Sequence, residues 1–176
     1  MGPNSRIGHL TVIRGLSEVV IGDSAHVGNL NWITGFPLST EAAAFADQPN
    51  RQPKLAIGDH AAITNRHLID CTDAVVIGRF ATFAGFRSQI LTHSISMDES
   101  RQRCSPVGIG DYTFVGTGSI ILPGSALPAY SILGAGSVLN RQFLEEHWLY
   151  AGNPAAPVKR LCPEAAYFRR TTGYVV

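Results

Sequence analysis

The stretch VGIGDYTFVGTGSIILPGSALPAYSILGAGSVLN, residues 107–140, decides the fold. An aliphatic residue recurs in it every six positions: Ile109, Val115, Ile121, Leu127, Leu133 and Leu139. Glycine follows three of them, at Gly110, Gly116 and Gly134. A small hydroxyl side chain stands four residues after each of the first five, at Thr113, Ser119, Ser125, Ser131 and Ser137. A period of six held in unbroken step fits neither the 3.6 of a helix nor the two of a plain strand. It suits short strands joined by tight corners, and it predicts that all six aliphatic side chains point into one interior.

The same phrase runs backwards along the chain with interruptions. Ile21-Gly22, Val27-Gly28 and Ile33 form one run, Ile57-Gly58, Ile63 and Ile69 a second, and Ile77-Gly78 with Phe83 a third. Residues 34–55 separate the first two runs. They carry Pro, Asn and an Ala-rich stretch, which reads as a loop holding one helical turn. Residues 92–107 are the second interruption, a polar segment that opens on a single histidine, His93.

At 176 residues the chain reads as one domain with enough length for a core without staples. Lys and Arg number 14 against 13 Asp and Glu, a net charge of +1, which argues against a nucleic-acid binder. Only 15% of residues are charged and 45% are hydrophobic, so there is much to bury, an interface between subunits included. No apolar run approaches the roughly 18 residues of a membrane span, and MGPNSRIG shows no apolar signal core. The three cysteines, Cys71, Cys104 and Cys162, are far apart and form no CxxC pair, so a cytoplasmic chain is expected. A GxSxG elbow and a P-loop are both missing, and GTGSII and GAGSVL lie in no βαβ unit, so neither is a dinucleotide fingerprint.

This pattern resembles the hexapeptide-repeat acyltransferases over roughly residues 7–160. The likeness is most specific in residues 107–140 and in YAGNPAAPVKRL, residues 150–161. It implies an all-β fold, a left-handed parallel β-helix of about six triangular coils, as the acyltransferase domain over residues 1–160. Two loop excursions, at about 34–55 and 92–107, and a C-terminal extension over 161–176 complete it. PEAAYFRR reads as a short helix after Pro163. With strands stacked about 4.8 Å apart, six coils make a prism about 29 Å long.

The resemblance also implies a chemistry. His93 stands where the family places its general base, one coil before IGD restarts the prism. An acceptor hydroxyl is a poor nucleophile until a base takes its proton. An imidazole of ordinary pKa about 6.5 suits that task at neutral pH. Asp98 and Glu99 on the same segment either orient His93 or are solvated loop acids. His67 occupies a slot where a repeat wants a small residue, as do Asn31 and Arg87. Such side chains project at corners, line a subunit contact or face the site, because unpartnered polar groups are not inserted among aliphatics. Asn65 and His67 are each either acceptor-binding or structural. The family runs the pantetheine arm of acyl-coenzyme A past small corners, implying contacts at Thr117, Gly118, Ala135 and Gly136. Basic residues then meet its phosphates: Arg141, Lys159 and Arg160. The expected partners are acetyl-coenzyme A and a small acceptor, a sugar or nucleotide-sugar, in a homotrimer with sites between prisms. No nucleic acid, membrane insertion or metal is expected.

Two rivals share the architecture. γ-Class carbonic anhydrases hold a metal through three histidines, but after His93 the next histidine is His147. A non-enzymatic assembly subunit would need neither His93 nor the AGNPAAPVK ending.

Overall fold

The computed structural model describes residues 1–38 and 43–175. The chain winds through three mainly parallel sheets in strict rotation, each with short strands. Face one holds Arg6–Ile7, His26–Val27, Ala62–Ile63, Thr82–Phe83, Phe114–Val115, Ile132–Leu133 and Trp148–Gly152, then Ala155–Arg160 folded back antiparallel. Face two holds Val12–Arg14, Trp32–Thr34, Leu68–Asp70, Gln89–Ile90, Ile120–Ile121 and Val138–Leu139. Face three holds Glu18–Ile21, Lys54–Ile57, Val75–Ile77, Val107–Ile109 and Ala126–Leu127.

The period of six thus becomes one strand and one corner, and three units make a turn of the coil. Pairing is in register, so the repeat's aliphatic residues stack directly over one another. On face two, Ile13, Ile33, Ile69, Ile90, Ile121 and Leu139 form such a column. The six aliphatic residues of the deciding stretch are at most 2% exposed. Burying each contributes roughly 1.5–3 kcal/mol. The hydroxyls of the small slots are buried with them and bond to corner carbonyls, as Ser119 Oγ does to Gly116 O at 2.8 Å. Gly116 is dictated by crowding: a Cβ there would lie 2.5 Å from the backbone nitrogen of Ala135 in the next turn.

Asn31 and His67 do occupy interior slots and are buried. Arg87 does not. Phe83 and Ile90 are seven residues apart, one more than the repeat, so Ser88 takes the slot. Arg87 is thrown out to the corner at a φ of 63° and is exposed.

Both excursions leave at the same place, the edge between faces two and three. Among the described residues, the first contains a 3₁₀ turn, Ala43–Phe45, in the segment where one helical turn is expected. The second is not a loop but an antiparallel hairpin, His93–Ser96 paired with Arg101–Cys104. Its strands are mostly polar and too short for a visible alternation.

The C-terminal segment forms a 3₁₀ turn at Ala166–Arg169, inside the PEAAYFRR stretch where a short helix is expected. Its side chains are committed to the prism. Tyr167 hydroxyl donates to Thr113 O at 2.9 Å, and Arg170 lies 3.9 Å from the Tyr167 ring and 5.5 Å from that of Tyr112. They cover a ladder of stacked rings, His60, Phe80, Tyr112, Tyr130 and His147, along the edge between faces three and one. Among the described residues, no helix is long and apolar enough to cross a membrane.

Candidate active site

His93 begins the hairpin at the edge between faces two and three, and its side chain is 40% exposed. Its Nδ1 lies 2.7 Å from Oδ2 of Asp70, the last residue of the face-two strand Leu68–Asp70. Asp70 is buried and held from several sides. Oδ1 accepts from Thr72 N at 3.1 Å and Thr72 Oγ1 at 2.6 Å, and Oδ2 also accepts from Thr92 N at 2.8 Å and His93 N at 3.1 Å. Burial alone would raise this carboxyl. The hydrogen bonds from His93, Thr72 and Thr92 outweigh it and hold the pKa at about 2. The fixed charge in turn raises His93 above the ordinary imidazole value, against the opposing effect of its own burial. In the neutral ring Nδ1–H donates to Asp70, which leaves the Nε2 lone pair directed away from the carboxylate. The imidazole is thus held in one tautomer and one orientation.

Asp98 and Glu99 do not supply that orientation. Asp98 is exposed, and Glu99 accepts from Arg103 Nε at 2.7 Å on the opposite hairpin strand. Sequence reasoning missed Asp70. The available signal was its place in the repeat: it directly follows an interior aliphatic residue, where several other units carry Gly, and no other unit carries an acid there.

His67 is enclosed at the edge between faces one and two, 2% exposed. Ser88 N–H donates to its Nδ1 at 3.2 Å, so the proton sits on Nε2, 3.0 Å from Thr64 Oγ1. Burial pushes its pKa down to about 4, so the ring is neutral. Both nitrogens are committed to holding the corner, and no ring edge is left for an acceptor. Asn65 is exposed on that edge, but its Oδ1 accepts the Asn29 N–H at 2.7 Å, and Asn29 Oδ1 accepts His9 N–H in the same way.

Thr117, Gly118, Ala135 and Gly136 lie on this same edge and are all exposed. Gly118 and Gly136 have φ of 68° and 67°, and a Cβ on either would meet nothing within 4 Å. The backbone here is open to a ligand running along the prism. Arg141 lies elsewhere, on the His93 edge beyond the last face-two strand. Arg160 donates to Glu145 Oε2 at 2.8 Å and packs on Trp148, and Lys159 is exposed beside it. The structure therefore gathers Asn65, Thr117, Gly118, Ala135 and Gly136 on one edge and His93 and Arg141 on another. Face two separates them by about six residues, roughly 20 Å of strand.

No protein-family model matches the sequence. The chain has the fold of the hexapeptide-repeat acetyltransferases. It superposes on a maltose O-acetyltransferase from Clostridium difficile 630 with a TM-score of 0.64 at 21% identity, over 81% of this chain and 69% of that one. A hexapeptide-repeat acetyltransferase of Vibrio cholerae, solved with acetyl-coenzyme A, gives 0.59 at 21% identity over 90% and 72%. AntD, an N-acyltransferase from Bacillus cereus solved with dTDP and 3-hydroxybutyryl-CoA, gives 0.64 at 16% identity over 93% and 86%.

Relatives by sequence are named as candidate acetyltransferases. One from Schizosaccharomyces pombe is 34% identical over 32% of this chain and 27% of its own length. One from Staphylococcus aureus is 32% identical over 40% and 36%. The chain thus spans about a third of the length of the curated relatives it matches.

Proposed function

We propose that the protein is an acetyl-coenzyme A-dependent acetyltransferase in which His93 is the general base. The observation that carries this reading is the 2.7 Å contact between His93 Nδ1 and the buried, charged Asp70. A base needs a fixed tautomer and a partner for the charge it acquires, and Asp70 supplies both. Nε2 takes the proton of the acceptor hydroxyl or amine as that atom attacks the thioester carbonyl. The acyl group moves to the acceptor, and the coenzyme leaves as its thiolate. A base of this kind contributes about 10²–10⁴-fold.

The fold is read as a left-handed coil of about six turns, residues 1–160 being the catalytic domain and 161–176 its extension. The donor is assigned to the open edge at Thr117, Gly118, Ala135 and Gly136, with Lys159 and Arg160 toward its phosphates. That edge and His93 lie on different corners of one prism, so the complete site is assigned to the junction of two subunits in a trimer. Arg141 then belongs to the subunit that contributes the base. A sugar or nucleotide-sugar is the proposed acceptor, and Asn65, through its amide nitrogen, is the remaining acceptor-side candidate on the donor edge. The proposed location is the cytoplasm. A metal site is less well supported: among the described residues, no three His, Cys, Asp or Glu side chains are grouped to hold an ion. Thiol release from acetyl-coenzyme A, measured across a panel of sugars and nucleotide-sugars, tests the assignment. Release that requires an acceptor supports it. No release with any acceptor, together with no binding of acetyl-coenzyme A by calorimetry, overturns it and leaves the assembly-subunit reading.

A further inference from the structure

The first excursion leaves the prism on the same edge as the hairpin, two turns earlier, and folds over onto it. Phe45, 6% exposed, presents its ring to the His93 imidazole at 6.0 Å between centroids and 88° between planes. Three residues on, Gln48 treats the hairpin as a neighbouring strand would. Its Oε1 accepts Cys104 N–H at 3.0 Å and its Nε2 donates to Cys104 O at 3.4 Å. Cys104 is the residue paired across the hairpin from His93. Asp47 closes the contact with ion pairs to Arg101 and Arg103.

The excursion is itself anchored. Arg51 is buried, lies 4.8 Å from the Phe45 ring, and donates to Phe36 O at 2.5 Å, Pro37 O at 2.8 Å and Thr72 O at 3.2 Å. A buried guanidinium bound to three carbonyls and an aromatic ring is a rigid post. Thr72 is the residue whose N–H and hydroxyl hold Asp70. One anchor therefore serves both the carboxylate and the ring that leans on the base.

We infer that the first excursion is a positioning clamp for the His93 imidazole, with Phe45 and Gln48 as its contacts. The inference rests on His93 being the base. Phe45 fixes the ring from the side while Asp70 fixes it at Nδ1. Gln48 fixes the strand opposite. Neither touches a substrate.

The test compares Phe45→Ala, Phe45→Leu and Gln48→Ala in the intact protein, with His93→Ala as control. Phe45 is buried, so Phe45→Ala should melt earlier than wild type and Phe45→Leu less so, and kcat is compared below the onset of melting in every variant. Phe45→Ala should lower kcat about tenfold or more, as loss of alignment does. The KM for acetyl-coenzyme A should not change, and Phe45→Leu should recover most of the loss. Gln48→Ala should lower kcat in the same direction. The acid limb of kcat/KM should move down toward the ordinary imidazole value, because a ring free to turn loses Asp70. An acid limb that moves up would mean that Phe45 only keeps water from the ring, which overturns positioning. Unchanged kcat and acid limb in Phe45→Ala and Gln48→Ala, with His93→Ala inactive, overturns the clamp and leaves the base intact. Wild-type turnover in His93→Ala overturns both.

Discussion

Asp70 and His93 form one unit, and the order of their effects is fixed by charge. Asp70 is held ionised by its hydrogen bonds, and its charge raises His93. Asp70→Asn should therefore lower the His93 pKa, so the acid limb of kcat/KM moves to lower pH. Turnover should fall roughly ten- to a hundredfold, because the imidazolium formed during transfer loses its counter-charge. A pH–rate profile with an unmoved acid limb would separate Asp70 from the base. Stability has its own sign. Asp70 sits below its unfolded value, so its contribution is present above about pH 4 and is lost as pH falls toward 2. His67 also sits below its unfolded value but gains charge on protonation. Stability should drop as pH falls from about 6.5 toward 4, since the unfolded chain takes up that proton first. His67→Ala should remove this dependence and leave the Ser88 N–H buried without a partner, at a cost of about 1–3 kcal/mol. The check is chemical denaturation at several pH values. At this scale His93 was legible because it opened an interruption. Asp70 and the closed corner around His67 were not, because their meaning lies in contacts 23 and 21 residues away.

The repeated unit was the most legible element. A period of six can be met by few backbones, and every aliphatic residue of the deciding stretch is where the period puts it. The two glycine positions of the unit do different work, and substitution separates them. Gly116→Ala drives a Cβ into the next turn and should unfold the protein at a clearly lower temperature. Gly118→Ala meets open space and should cost only about 1 kcal/mol, for its positive φ. Equal melting temperatures for the two would contradict the crowding argument. The excursions were legible as interruptions but not as structures. Strands of four residues, His-Ser-Ile-Ser and Arg-Gln-Arg-Cys, are too short to carry a periodic signal, and Phe45 gives no sequence hint that it meets His93. The tail was legible only in part, for a related reason. Its residues have the composition of a short helix, but Tyr167 and Arg170 are pulled onto the prism by rings that only the folded edge brings together.

The whole molecule leaves its faces unequal. Face one is covered in part by the tail, through Tyr167 against Phe114. Face two carries an outward row in register, Val12, Trp32, Leu68, Gln89, Ile120 and Val138, with Trp32 51% and Leu68 40% exposed. A row of that length, apolar except for Gln89, on a chain of low charge fits burial against another copy. A trimer is expected in light scattering at micromolar concentration, and Trp32→Arg should dissociate it and remove activity together. A monodisperse wild-type monomer that still transfers acetyl groups would refute the shared site. The central claim is narrower, that one imidazole set by one carboxylate does the chemistry, and thiol release by His93→Ala measures it directly. The variant should keep its affinity for acetyl-coenzyme A and lose turnover by about 10²-fold or more. Turnover within a few-fold of wild type, with that affinity intact, would contradict it.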